Sequence, residues 1–341
     1  MKAMSTAESS ALASAIQRRF PLAPDPWSAL ADETGLMRSA VLGQVERWLE
    51  GGELREVSAV FEGEALGYDS ALVAVAVADQ QLEAVARGVA RHPTVTHCYE
   101  RNHATNLWFT LAVPPEMGLE ATLGLLAAET GVDPAAFHPL RRGHTFKIGV
   151  SFDLESRRND TQVALGDASQ RFSPNAREVA MVRALQTPLP ARERPFAALA
   201  DQVEVSTDEL LGFAHRLLGT ALRRYVATFR HRKLGVRGNG MAVWRVAEED
   251  VRRVGERLAS APEVSHCYSR PPFPGFDYSL YSMIHGPDEP AVRRVAAELA
   301  ESTGVGDYDV LFSQREFKKT RLRYYLPELT SWWAQRAGQA S

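Results

Sequence analysis

Residues 96–111 read THCYERNHATNLWFTL. His97, Tyr99 and Arg101 alternate with Cys98 and Glu100. Side chains on a strand alternate with a period of two, so His, Tyr and Arg share one face. Residues 102–106 are polar and break the pattern, and LWFTL at 107–111 resumes it, which predicts a hairpin. Imidazole, phenol and guanidinium on one face can hold carboxylates and move protons. A hairpin that served structure alone would not need that set. The stretch also recurs. Residues 265–270 read SHCYSR, and His266, Cys267, Tyr268 and Arg270 repeat His97, Cys98, Tyr99 and Arg101 at an offset of 169 (266 − 97). Further out, Phe196 takes the place of Trp27, Leu222 that of Leu54, and Phe317-Lys318 that of Phe146-Lys147. The chain is therefore two copies of one unit.

A length of 341 residues suits more than one domain, and each half can bury its own core. The net charge of −3 gives no basic excess to draw the chain to nucleic acid or to an anionic membrane. The 2 cysteines occupy equivalent positions, too few for a disulfide framework, and fit a reducing cytoplasm. The first 20 residues lack the apolar core of a signal peptide, and no run of about 20 apolar residues is long enough to span a bilayer.

The spacing predicts a short amphipathic helix at 7–20, then helix, Gly35 turn and helix over 27–49, which is a helix-turn-helix. Residues 54–61 and 65–68 read as a small β wing. ALVAVAVA at 71–78 is a buried strand, Asp79 caps a helix to about residue 91, and the hairpin follows. A second helix covers 119–130 with Gly131 just past its end, and TFKIGVSFDL at 145–154 is a last strand. The second half repeats the plan, with a longer loop, PPFPGF, between its second and third strands. The expected fold class is α+β, a tandem repeat of winged helix-turn-helix plus ferredoxin-like β-α-β-β-α-β. The expected domains are 1–70, 71–155, a polar linker at 156–173, 174–238 and 239–341. This plan resembles two fused subunits of the Lrp/AsnC regulators, which implies an internal pseudo-dimer built through the sheets.

That resemblance points to DNA, and the residues argue against it. A recognition helix needs several Arg, Lys, Asn or Gln on its groove face. The first-half candidate offers Arg38, Gln44 and Arg47 beside Glu46 and Glu50. The second opens with Asp208 and Glu209 and carries Phe213 and His215. Unlike helices read a symmetric half-site poorly, and fold does not settle function.

The chain has no dinucleotide fingerprint, P-loop, CxxC pair or HExxH. Its distinctive content is cationic and imidazole groups next to aromatics. His97 and His266 serve equally well as polar residues hydrogen-bonded on a sheet. A loop histidine such as His103 is ordinarily just solvated, but it stands two residues from Arg101. FRHRKLG, with Arg230, His231 and Lys233, is a basic edge strand or an anion site where the first half has VFEGEALG. His285 ends the apolar strand SLYSMIHG. Trp108, Trp244 and Tyr281 are core residues or the walls of a flat pocket. Facing one cleft, these groups suit a large, flat polyanion such as a tetrapyrrole with many carboxylates.

HCYERNHATNLWFT in the first half, and RHRKLG, NGMAVW, SHCYSRPP and YSLYSMIHG in the second, resemble the two different subunits of the siroheme decarboxylase family. The chain looks like their fused form, although both halves here carry His-Cys-Tyr. The resemblance implies loss of carbon dioxide from the ring C and ring D acetates of siroheme, a step of haem d1 synthesis. It implies no cofactor beyond the iron carried in the siroheme substrate, no nucleic acid or membrane partner, and allows a homodimer of the fused chain.

On that footing His231 and His103 are the leading proton donors, with His285 next. Arg101, Arg230, Lys233 and Arg270 anchor carboxylates, and Tyr99 and Tyr268 hydrogen-bond them. His97, His266 and Trp244 complete the substrate site, with no protein metal ligand. One complete site per chain and a degenerate second one are expected. An Lrp-type transcription regulator and a non-catalytic haem sensor stand as alternatives.

Overall fold

The computed structural model describes residues 4–148, 171–230 and 238–337. In chain order these form α1 (Thr6–Arg18), α2 (Pro26–Thr34), α3 (Arg38–Glu50), β1 (Leu54–Phe61), β2 (Asp69–Val75), α4 (Asp79–Ala90), β3 (His97–Arg101), β4 (Leu107–Val113), α5 (Leu119–Thr130), β5 (His138–Arg141) and β6 (Thr145–Ile148). The second half follows with α6 (Ala176–Gln186), α7 (Pro195–Asp201), α8 (Thr207–Leu217), β7 (Leu222–Phe229), β8 (Gly238–Trp244), α9 (Val251–Ala259), β9 (Val264–Ser269), β10 (Leu280–Gly286), α10 (Glu289–Thr303), β11 (Tyr308–Lys319) and α11 (Pro327–Ala337). The 156–173 linker reading lies almost wholly outside the described residues, as does the end of the 145–154 strand.

The chain divides into two compact units. Among the described residues one holds 4–67 and 171–230, and the other 68–148 and 238–337.

In the first unit each half supplies three helices and one strand. Gly35, at φ +70°, ends α2 in the left-handed region that glycine enters without penalty, so the chain turns into α3. The core is aromatic. Phe20 lies 5.6 Å from Trp27, and Phe196 lies 5.4 Å from Tyr225. Trp27 and Phe196 are thus equivalent in burial as well as in sequence. The wing differs from expectation. Residues 62–68 form a turn that Gly67 closes at φ +80°, which leaves no length for a returning strand. The edge of β1 pairs antiparallel with β7 instead, with Val57 opposite Ala227. The equivalent strand of the other repeat thus satisfies its backbone groups.

The second unit holds two β-α-β-β-α-β units in one sheet of order β5-β2-β4-β3-β11-β8-β10-β9-β6. The helix is expected to start with Asp79 as its cap. In fact Ala78 is the cap and Asp79 sits in the first turn, where its charge suits the helix dipole. The last strand also corrects the expectation. The first half ends in β5, which pairs with β2, and then β6, which pairs with β9 of the second half. β11 does both jobs without a break, pairing β8 at its start and β3 at its end. Between β5 and β6, Gly143 N–H donates to Ser269 O, and Ser269 N–H to His144 O, each at 2.9 Å. The short link 142–144 therefore runs beside the end of β9 and brings one end of the edge strand β5 towards β6. Equivalent lysines fasten the exchanged strands to helix C-termini: Lys147 Nζ donates to Ala261 O at 2.8 Å, and Lys318 Nζ to Ala90 O at 2.7 Å.

One face of the sheet carries the helices over a core that includes Trp244, Cys267 and Ile284. The other face carries a second apolar cluster drawn from both halves, including Trp108, Leu140, Val243 and Leu311. Phe276, from the PPFPGF loop, packs 5.3 Å from Trp108. This cluster fills part of the inner face, and the rest is open.

Candidate active site

The alternation in β3 puts Cys98 on the helix side, fully buried, with Sγ 3.9 Å from Ala86 O. His97, Tyr99 and Arg101 point the other way and line a cavity of about 530 Å³. β9 does the same: Cys267 lies 3.7 Å from Gly255 O, and His266, Tyr268 and Arg270 line the same cavity. The expectation is one complete site and a degenerate second one. Both copies of the motif face one space.

The two arginines set its electrostatics. Arg101 Nη1 donates to Leu311 O at 2.8 Å, and Arg270 Nη1 to Leu140 O at 2.5 Å. The Nε of each is buried without a partner. Burial pushes both guanidiniums down to about 10, with neighbouring phenols acting in the opposite sense. Among the described residues no carboxylate lines the cavity, while Arg142 and Lys319 add further cationic side chains. A buried cation without a counterion is costly unless an anion arrives to pair with it. Arg101 lies 5.7 Å from the Tyr99 ring centroid, and Arg270 lies 5.6 Å from that of Tyr268, which keeps each fork in place.

Hydroxyls orient the imidazoles. In the first half Thr96 Oγ1 is 3.1 Å from His97 Nδ1 and 2.8 Å from Thr110 Oγ1. In the second, Ser265 Oγ is 2.8 Å from His266 Nδ1 and 2.6 Å from His285 Nε2. Trp108 and Tyr281 form apolar walls at paired positions of β4 and β10. Burial pushes the Tyr281 phenol well above its ordinary range.

Of the residues singled out in the sequence, the cavity gathers His97, Tyr99, Arg101, His266, Tyr268, Arg270 and His285. Three others lie elsewhere. His103 sits in the β3–β4 loop, where Nδ1 accepts the Thr105 N–H at 2.9 Å and the ring meets the edge of Phe276. Trp244 is fully buried in the helix-side core, with Nε1 donating to Ser282 Oγ at 2.9 Å. It is one residue out of phase with Val243, whose side chain faces the inner cluster. Arg230 follows β7 in the other unit, exposed, with its backbone N–H on Glu53 O. His231 and Lys233 lie outside the described residues. Arg142 lines the cavity too, and Ser265, Thr96 and Asn239 line it without having been among the residues chosen from the sequence. For Thr96 and Ser265 a signal existed, a hydroxyl residue before each His-Cys-Tyr. Among the described residues no cluster of three metal-ligating side chains occurs.

Comparison with known proteins gives a consistent picture. Residues 10–55 and 178–221 match the family model for a siroheme decarboxylase NirDL-like HTH domain, and residues 65–147 and 233–318 that for an AsnC-like ligand binding domain. The siroheme decarboxylase of Hydrogenobacter thermophilus is 38% identical over 94% of this chain and 96% of its own. The NirDL subunit of Paracoccus denitrificans siroheme decarboxylase is 31% identical over 89% and 93%. The crystal structure of the siroheme decarboxylase NirDL superposes with a TM-score of 0.79 at 33% identity, covering 98% of this chain and 99% of that one. A structure of NirDL in co-complex with an iron-uroporphyrin III analogue superposes equally well.

Proposed function

This chain belongs to the siroheme decarboxylase family, and on that premise we propose that it removes carbon dioxide from the ring C and ring D acetates of siroheme. Methyl groups are left in their place. The observation that carries this reading is the cavity itself, where two buried arginines, without carboxylate partners among the described residues, stand among imidazoles and apolar walls. A flat polycarboxylate supplies the anions that this cavity lacks.

The chain's part in the reaction follows from those groups. Arg101 and Arg270, which line the cavity, pair with substrate carboxylates through their guanidinium groups, as a planar fork suits. Tyr99 and Tyr268 add hydroxyls. With the macrocycle held at these points, the reacting acetate is oriented so that its C–C bond breaks toward the conjugated ring. The electron pair of that bond enters the substrate's own π-system as carbon dioxide leaves, so no added cofactor is needed. One proton per acetate must then reach the carbon, and an imidazolium is the suitable donor near neutral pH. Among the sequence candidates for that role, His285 stands at the cavity wall. The apolar walls exclude water and strengthen each ionic contact.

The same reading includes a cytoplasmic site of action, supported by two unpaired buried thiols. It also includes self-association of the fused chain, which light scattering would check. DNA binding finds little support in α3, where Arg38 is tied to Asp25 at 2.8 Å and Arg47 to Gln44 at 2.7 Å.

The test is anaerobic incubation of the purified chain with siroheme, followed by mass analysis of the tetrapyrrole. Loss of two carboxyl groups supports the proposal, and binding with no mass change overturns it. His285→Ala is expected to lower turnover about a hundredfold, the scale of a lost proton donor. His103→Ala is expected to cost much less, because the ring does not line the cavity.

A further inference from the structure

The two poles of the cavity are built from the same motif but differ in one respect. Thr96 Oγ1 touches one imidazole, that of His97, and then a second hydroxyl, that of Thr110. Ser265 Oγ touches two imidazoles, His266 at 2.8 Å and His285 at 2.6 Å. Register explains the difference. The β9–β10 pairing is interrupted between Met283 and Ile284, and His285 N–H donates to Glu263 O at 3.0 Å. That bond brings the end of β10 alongside Ser265.

A hydroxyl has one hydrogen. Between two neutral imidazoles it donates to one nitrogen and accepts from the other, and because it meets His266 at Nδ1 and His285 at Nε2 the two rings are held in the same tautomer, one as donor and one as acceptor. When the ring that donates to Ser265 takes a second proton, that proton sits on its remaining nitrogen, away from the hydroxyl. We propose that Ser265 is a positioning residue for the decarboxylation: it orients His266 and His285 as a coupled pair and makes the second-half pole the one that returns a proton to carbon. The proposal rests on the siroheme reading. At each acetate the C–C bond breaks, its electron pair stays on the macrocycle, and carbon dioxide departs. An imidazolium N–H bond then breaks as the C–H bond forms, leaving a neutral ring that regains its proton from water. The first-half pole, with one imidazole and two threonine hydroxyls, holds a carboxylate.

The two poles therefore fail differently. In steady-state turnover of siroheme, Ser265→Ala is expected to lower kcat about 10–100-fold, no more than the loss of the proton donor itself, with KM within about threefold. Ser265→Thr keeps the hydroxyl and is expected to restore kcat to within about threefold of wild type, which also guards against misfolding of the alanine variant. Thr96→Val is expected to raise KM more than it lowers kcat. The proposal is overturned if Ser265→Ala keeps wild-type kcat, if Ser265→Thr is as slow as Ser265→Ala, or if Thr96→Val loses as much kcat as Ser265→Ala. A wild-type chain that binds siroheme without releasing carbon dioxide overturns the function, and this proposal with it. An active wild type with an unaffected Ser265→Ala overturns this proposal alone.

Discussion

Arg101 and Arg270, equivalent in the repeat, each reach into the opposite half of the sheet: Arg101 donates to Leu311 O and Arg270 to Leu140 O. Each half thus supplies the carbonyl that holds the other half's cation. Without ligand, these two buried charges have no carboxylate among the described residues. Arg101→Met and Arg270→Met are therefore expected to leave the melting temperature of the free protein unchanged or raised, because an unpaired buried charge is removed. Each is expected to weaken siroheme binding at least tenfold, about 1.4 kcal/mol. An absorbance titration and a thermal melt check both halves of the statement. Unaltered affinity in both variants would remove the arginines from the site.

His92 predicts an acid sensitivity. The imidazole is fully buried against Trp332, at 4.3 Å, and burial, reinforced by Lys318 and Arg336, pushes it down to about 3. A histidine held neutral in the fold charges more readily when unfolded, so its contribution is complete above the ordinary pKa of about 6.5 and is lost as pH falls from there toward 3. The slope is at most about 1.4 kcal/mol per pH unit. Urea unfolding at pH 7, 6 and 5 should show the wild type losing stability faster than His92→Leu. Parallel losses would show that the ring titrates normally.

Cys98 and Cys267 are both buried, and burial pushes each thiol up to about 12. A thiolate is the reactive form. Neither thiol is therefore expected to react with an alkylating reagent at pH 8 until the protein is denatured, when both should. The double variant Cys98→Ala, Cys267→Ala is expected to keep turnover within about twofold, since both side chains face the helices. Rapid alkylation of the native protein would contradict this placement.

Two glycines in helices carry opposite expectations. A Cβ on Gly255 in α9 would overlap the Phe146 ring that β6 lays across it, while one on Gly124 in α5 would meet nothing within 4 Å. Gly255→Ala should destabilise by about 1–3 kcal/mol, as overpacking does. Gly124→Ala should stabilise by about 0.5–1 kcal/mol through helix propensity. Denaturant midpoints read both signs, and a stabilising Gly255→Ala would mean that β6 is not pressed against α9.

The repeat, the two-residue alternation of β3 and β9 and the helix boundaries at Gly35 and Gly131 were legible in the sequence, because each is a local pattern. So was the cavity-facing set His97, Tyr99 and Arg101 with its copy, since strand geometry alone puts those side chains together. Which strands pair was not legible. β1 and β7 are far apart in the chain, and nothing local tells a wing that closes on itself from one that closes on its copy. The strand β5, which the sequence reading did not include, was hidden for the same reason: four residues carry little pattern of their own, and only pairing with β2 marks them as a strand.

By itself the sequence determined the duplicated unit, the chemistry available to it and the side of each strand on which that chemistry stands. Tertiary structure alone decided that both copies of His-Cys-Tyr face one cavity, that His285 meets Ser265, and that Trp244 and His103 stand apart from it. Alternation says which residues share a face. It does not say which sheet face is the inner one, nor where an irregular register carries the end of a strand. Both are set by long-range pairing and by the short link 142–144 between β5 and β6.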